Sequence, residues 1–147
     1  MNGRYLYRAK RTDCWGWEEG YLIYDKMDGQ YRIVINLHDS TGTFIYSENA
    51  PRVDINTICR CTGKNDVDGK LIFEHDIVTF LDAYSTENGQ SEQSCLGEVC
   101  WDDKTLSFQV TGRLSAESYE VLEECKVIGN IFDNPELLEV ENERNNI

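Results

Sequence analysis

Between Cys61 and Val78 the chain changes character within a few residues, and that change constrains its fold more than any other stretch. Asn65-Asp66-Val67-Asp68-Gly69 is a dense run of turn formers. Asp and Asn side chains hydrogen-bond the backbone two residues on, and Gly69 can take the positive φ that such turns need. Leu71-Ile72-Phe73 is apolar, and Asp76-Ile77-Val78-Thr79-Phe80 then alternates polar with apolar at period two, as a half-buried strand should. The stretch reads as a loop feeding a strand.

The same grammar recurs along the chain. Tyr21 to Tyr24 and Tyr31 to Ile35 flank Asp25 to Gln30, which contains Asp28-Gly29 and predicts a β-hairpin. Gly97 to Trp101 and Leu106 to Val110 flank Asp102-Asp103-Lys104-Thr105 and predict a second, with Val99 and Trp101 facing one way and Glu98 and Cys100 the other. Residues 1–11 alternate Arg4, Arg8, Lys10 and Arg11 with Tyr5, Leu6 and Tyr7 and read as an amphipathic edge strand. His38 to Thr43 reads as a turn, Thr43 to Tyr46 as a short strand, and Ser47 to Val53, with Pro51, as a loop. Ala83 to Ser94 has almost nothing to bury, which predicts a mobile loop or a long hairpin tip. Ser115 and Ser118 are candidate caps for a short helical turn over residues 115–124, a strand follows at Lys126 to Ile131, and Asn134-Pro135-Glu136 has the form of a helix start. The polar tail from Glu139 is expected to fray. Short strands separated by turn clusters, with little helix, make the expected class all-β, a small barrel or sandwich with hairpins and a short C-terminal helix. The expected division is a hairpin region over 1–60, a barrel-like region over 61–133 and a helix with its tail over 134–147, with one compact domain as the alternative.

Three segments carry a family resemblance. Thr62-Gly63, Asp68-Gly69, Ile72-Phe73, Glu74 and Asp76-Ile77-Val78 form a central motif; Tyr5-Leu6-Tyr7-Arg8-Ala9 forms an opening strand; Val127-Ile128-Gly129-Asn130-Ile131-Phe132-Asp133-Asn134-Pro135-Glu136-Leu137-Leu138 forms a closing signature. Together they resemble the YopX family of bacteriophage and prophage proteins. The resemblance implies an SH3-type barrel with further β structure and brings no established reaction, cofactor or ligand. It also implies structural roles for Thr62, Gly63, Asp68, Gly69, Glu74, Asp76, Gly129, Asn130, Asn134 and Pro135. His75 is a departure, standing where the family usually has Gly. If that position takes a positive φ, His75 is strained there, though less than a branched residue would be.

Cysteine and charge bound the chemistry. Six cysteines without a signal peptide's apolar stretch near Met1 suggest reduced thiols in the compartment of synthesis, here the cytoplasm of a bacterial host. No apolar run approaches the roughly 20 residues that cross a bilayer, so no membrane association is expected. The spacings Cys59-x-Cys61 and Cys95-x4-Cys100 are not the paired knuckles of a zinc site, and no metal or cofactor is expected. The net charge of −13 is uneven: residues 1–63 carry 8 basic and 8 acidic side chains, whereas residues 64–147 carry 6 basic and 19 acidic. The second half therefore repels phosphate backbones and attracts basic surfaces.

Several tempting sites dissolve on inspection. Placing Gly69 at position six of a calcium loop puts Lys64 at position one and His75 at position twelve, where carboxylates belong. His38, Asp39 and Ser40 are adjacent and point apart on any strand or turn. On a strand, Glu74 and Asp76 would share one face and His75 the other. No enzymatic set is expected, the nearest candidates being Cys61 with His75 and Asp76, or Cys95 with Cys100. What remains is a non-enzymatic phage or prophage protein that binds a protein of the host or phage, through Tyr5, Tyr7, Trp15 and Trp17 or through strand edges. The alternative is an acidic mimic that occupies a DNA-binding protein. Direct binding of single strands through Arg4, Arg8, Lys10 and Arg11 is disfavoured, and exposed strand edges offer a route to self-association.

Overall fold

A computed structural model describes residues 3–34 and 50–139, apart from the Arg4 side chain. Its contacts divide the chain into two compact units, Met1–Cys61 and Thr62–Ile147. No helix of the described residues is long and apolar enough to cross a membrane.

In the first unit, strands β1 (Tyr7–Lys10), β2 (Trp17–Asp25), β3 (Gln30–Val34) and β4 (Cys59–Asn65) lie in the order β3-β2-β1-β4, antiparallel. The β2-β3 hairpin appears where the Asp28-Gly29 turn predicts it, with Tyr24 opposite Tyr31 and Gly29 at φ 70°. Ala9, Ile33 and Val53 form its small core. Strand β1 corrects one expectation: it is not an edge, because it pairs with β2 on one side and with Cys59 and Arg60 of β4 on the other. Residues Gly3–Tyr5 before it form a 3₁₀ turn, so the predicted strand is shorter than the pattern suggested.

In the second unit β4 continues past Cys61, followed by β5 (Leu71–Phe73), β6 (Asp76–Thr86), β7 (Gly89–Asp102), β8 (Ser107–Val110), helix α1 (Ser118–Glu124) and β9 (Lys126–Asn130). Four of these strands form a sheet in the order β8-β7-β6-β9. Ile72, Val78, Phe80, Cys95, Val99, Val110, Val121 and Leu122 fill its core. The class is all-β as expected. Neither sheet closes on itself among the described residues, and the SH3-type barrel implied by the resemblance is not confirmed.

The Ala83 to Ser94 segment takes the second of its two expected forms: β6 and β7 pair without interruption from Ile77 opposite Glu98 to Thr86 opposite Gly89. Backbone hydrogen bonds sustain that ribbon where no apolar face exists, which explains why side-chain pattern alone left a loop open as an alternative. Glu74 and His75 lie in the turn before β6 and not on a strand, so the alternate-face argument does not apply to them. His75 does take the positive φ that the Gly comparison anticipated, 69°.

The helix caps differ from the sequence reading. Glu117 is the N-cap of α1, and the Glu120 carboxylate accepts its N–H at 2.9 Å. Ser115 instead donates to Asp82 at 3.1 Å, and the Ser118 hydroxyl accepts the Val110 N–H at 3.0 Å. Asn134 precedes a helical segment at 136–139, but its side chain turns back to accept the Asn130 N–H at 3.2 Å. A methyl on Gly129 would sit 2.5 Å from that same oxygen, which gives the Gly a steric reason. The readings at His38 to Thr43 and Thr43 to Tyr46, residues 47–49 of the 47–53 loop, and the tail beyond Glu139 lie outside the described residues.

Candidate functional site

The four aromatic candidates separate once they are placed. Trp17 opens β2 and is half-buried, with the Arg8 guanidinium 4.8 Å and the Lys10 ammonium 5.4 Å from its ring centre. Tyr7 is half-buried on β1, and Tyr5 is exposed in its 3₁₀ turn. Trp15 is the outlier at 90% exposed, in the connection between β1 and β2. Lys10 reaches 5.8 Å from its ring, a contact worth little at so exposed a position.

Trp15 stands at the rim of a cleft of about 740 Å³ in the first unit. Tyr31 of β3, Val53 and Ile55 give that cleft its apolar wall, and Ile55 is itself exposed. The wall is assembled from three separated segments by the bridge of Arg11 to Val53 and by backbone bonds from Val53 to Tyr31 and from Thr12 to Arg52. Asp54 caps the short 3₁₀ turn Ile55–Thr57 by accepting the Asn56 N–H, which fixes Ile55 at the mouth. Arg11 is the cation of the cleft and is already committed, to Asp13 at 2.7 Å and to Glu18 at 3.1 Å. The Arg11 bond holds the Asp13 carboxyl down at about 2 and raises Arg11 in return. The basic row expected of the first eleven residues is therefore not an open phosphate track: Arg8 is buried at 6% exposure and Arg11 is neutralised.

The central motif works as structure. Thr62 donates to the Ile72 carbonyl at 2.8 Å and accepts the Lys64 N–H, while Gly63 and Gly69 both sit at φ 82°. Asp66, read from sequence only as a turn former, is buried and accepts the N–H groups of Asp68, Lys70 and Val127, each at 2.9 Å. Asp68 is exposed and lies 3.7 Å from Lys126. Glu74 is buried, and the fully buried Asp76 accepts the Phe73 N–H at 2.8 Å. Asp82, which no motif marked, accepts the N–H groups of Ala83, Leu114, Ser115 and Ala116. Burial alone would raise Asp66 and Asp82, but these backbone donors outweigh it and hold both carboxyls below the ordinary value.

Of the remaining candidates, Cys61 is buried on β4 and Asp76 is fully buried at the start of β6. His75 Nδ1 lies 2.9 Å from Glu98, and its ring meets Phe132 edge-on at 5.7 Å. Cys95 is buried in the core, whereas Cys100, five residues on along β7, is half-buried with its Sγ toward the Gln109 carbonyl. Burial and then Glu98, Asp102 and Glu74 push the Cys100 thiol up, which disfavours the thiolate a nucleophile needs. All six cysteines are free thiols, and no group of three or more potential metal ligands occurs among the described residues.

Sequence reasoning missed Tyr31 and Ile55 as lining of the cleft that Trp15 borders. The Asp54 cap and the exposed isoleucine after it were the available signal.

No curated protein matches the chain. The fold is similar to the crystal structure of protein EF1440 from Enterococcus faecalis, at 26% identity and a TM-score of 0.55, over 90% of this chain and 96% of that one. The model of the YopX protein family matches residues 6–139, and over that length, which is most of the molecule, the chain belongs to the YopX family.

Proposed function

We propose that this chain is a phage- or prophage-encoded, non-enzymatic protein-interaction module that works in the bacterial cytoplasm and engages its partner through the Trp15 cleft. The observation that carries the reading is Trp15 itself, 90% exposed beside the apolar wall of Tyr31, Val53 and Ile55. An aromatic side chain removes roughly 150–250 Å² from water when buried, so at about 25 cal/mol per Å² this one anchor supplies on the order of 4–6 kcal/mol before ordering costs. Trp is also the residue type most often found at the energetic centre of an interface. Oxidative footprinting of the protein alone and in host lysate tests the reading. Engagement lowers the oxidation of Trp15 several-fold and leaves Met27, which is 94% exposed and outside the cleft, as the internal control. Unchanged oxidation of Trp15 would contradict it.

A second reading, an acidic surface that occupies the basic face of a DNA-binding protein, is favoured by α1. That helix and its cap expose Glu117, Glu120, Glu123 and Glu124 within eight residues. Binding of this kind weakens steeply with salt and competes with DNA.

A further inference from the structure

A second cleft, of about 420 Å³, lies in the other unit between β6 and α1. Its apolar lining is Phe80, Leu81, Ala116 and Val121, and three carboxylates, Glu120, Glu123 and Glu124, stand around it. Leu81 is 67% exposed although it sits on a strand of the core sheet. The β6-β9 pairing ends at Thr79 opposite Lys126, so at Phe80 and Leu81 the flank of β6 away from β7 faces the helix and not a strand.

The charges around this cleft run against the helix that carries them. The carbonyl end of a helix is negative and favours cations in its last turn. Here the last turn has no basic residue and ends in Glu123 and Glu124. Among the described residues the cation that meets Glu123 is Lys64, at 3.7 Å between two exposed side chains, which screening reduces to little. A local rule broken with so little compensation among the described residues points to a group that arrives from outside.

We propose that this cleft is a docking site for a basic segment of a partner protein, which lays an apolar side chain beside Leu81 and Val121 and sets an arginine or lysine against Glu123 and Glu124. Charge complementarity selects the occupant: the cleft combines an apolar floor with carboxylates at the negative end of a helix, and the arginine or lysine stem covers the floor while its head reaches the rim. The inference rests on the second reading above and sharpens it, from an acidic surface to one cleft with a defined guest.

The probe is an acetylated, amidated heptapeptide of alternating arginine and leucine, followed by amide chemical shifts at about 0.15 M salt. Saturable shifts are expected at Leu81, Ala116, Val121 and Glu124. Replacing the arginines by citrulline, or the leucines by glycine, abolishes or weakens them. The Glu123→Gln/Glu124→Gln variant is expected to bind roughly tenfold more weakly, the sum of two exposed charge pairs. Trp15→Ala leaves this binding unchanged. Equal binding of the citrulline peptide, equal affinity of the Gln variant, or shifts spread over the acidic surface would overturn the proposal. Competition of the intact protein with DNA for a basic DNA-binding protein separates the two levels: if the Gln variant competes undiminished, the acidic reading stands and the cleft does not, and if the native chain fails to compete, the acidic reading falls.

Discussion

His75 holds the Glu98 carboxylate at 2.9 Å from a backbone turned to φ 69°, while its own N–H and carbonyl are bonded to Val99 and Ile131. The left-handed conformation costs a residue with a Cβ about 1–2 kcal/mol, less for His than for a branched side chain. The Glu98 contact and the Phe132 ring edge offset part of that cost, which accounts for a His at a position where glycine is the expected residue.

Two substitutions separate the terms. His75→Gly relieves the conformational cost and loses the side-chain contacts, so its stability stays within about 1 kcal/mol of the native chain. His75→Val keeps a Cβ, adds a branch and loses the Glu98 bond, and is expected to cost about 2 kcal/mol or more. Urea unfolding measures both, and a valine variant as stable as the glycine variant would refute the strain.

Acid should unfold the second unit through Asp66 and Asp82. Both carboxyls are held below their unfolded value by backbone donors that outweigh burial. The stability they contribute is therefore fully present above the unfolded value, near pH 3.9, and is lost as pH falls through the depressed folded values. Asp82→Asn, which leaves the N–H groups of Leu114, Ser115 and Ala116 facing a neutral amide, is expected to cost about 2–3 kcal/mol at pH 7 and to flatten the stability curve below pH 4. A variant with the native pH dependence would show that the carboxylate is not the acid-sensitive group.

The two neighbouring tryptophans should respond oppositely to truncation. Trp15→Ala removes an exposed ring and is expected to change stability by less than about 0.5 kcal/mol. Trp17→Ala removes the ring beneath Arg8 and Lys10 and is expected to cost about 2 kcal/mol. Thermal unfolding of the two variants checks this, and a large loss from Trp15→Ala would make it a structural residue.

The acidic end of α1 predicts a gain from a loss. Glu123→Gln/Glu124→Gln removes two negative charges from a helix C-terminus with no basic residue and is expected to stabilise the protein by about 0.5–1 kcal/mol. A destabilised variant would mean that these carboxylates serve the fold, and the conflict argued for the second cleft would vanish.

What could be read from the sequence follows the range of the interactions. The two hairpins at 21–34 and 97–110 declare themselves because turn residues and period-two alternation are local. Asp82 stays silent because its amide partners lie at 114–116, more than thirty residues on, and Asp66 reaches Val127 across 61 residues. The family motif at Asp68, Gly69 and Asp76 is legible for the opposite reason: the Asp68 N–H bonds Asp66 two residues back and the Phe73 N–H bonds Asp76 three residues on. In the cleft, Trp15 is visible as one of two tryptophans on either side of Gly16. Its wall is not, because Tyr31 and Ile55 come from two other segments that only strand and bridge pairing brings beside it.

The central claim is that the Trp15 cleft binds a protein, and affinity capture from nuclease-treated bacterial lysate at about 0.15 M and about 0.5 M salt tests it most directly. The native chain and the Glu123→Gln/Glu124→Gln variant are expected to retain one stoichiometric protein at both salt concentrations, and the folded Trp15→Ala variant to lose it. Retention of that protein by Trp15→Ala, or an empty column with the native chain, would contradict the account.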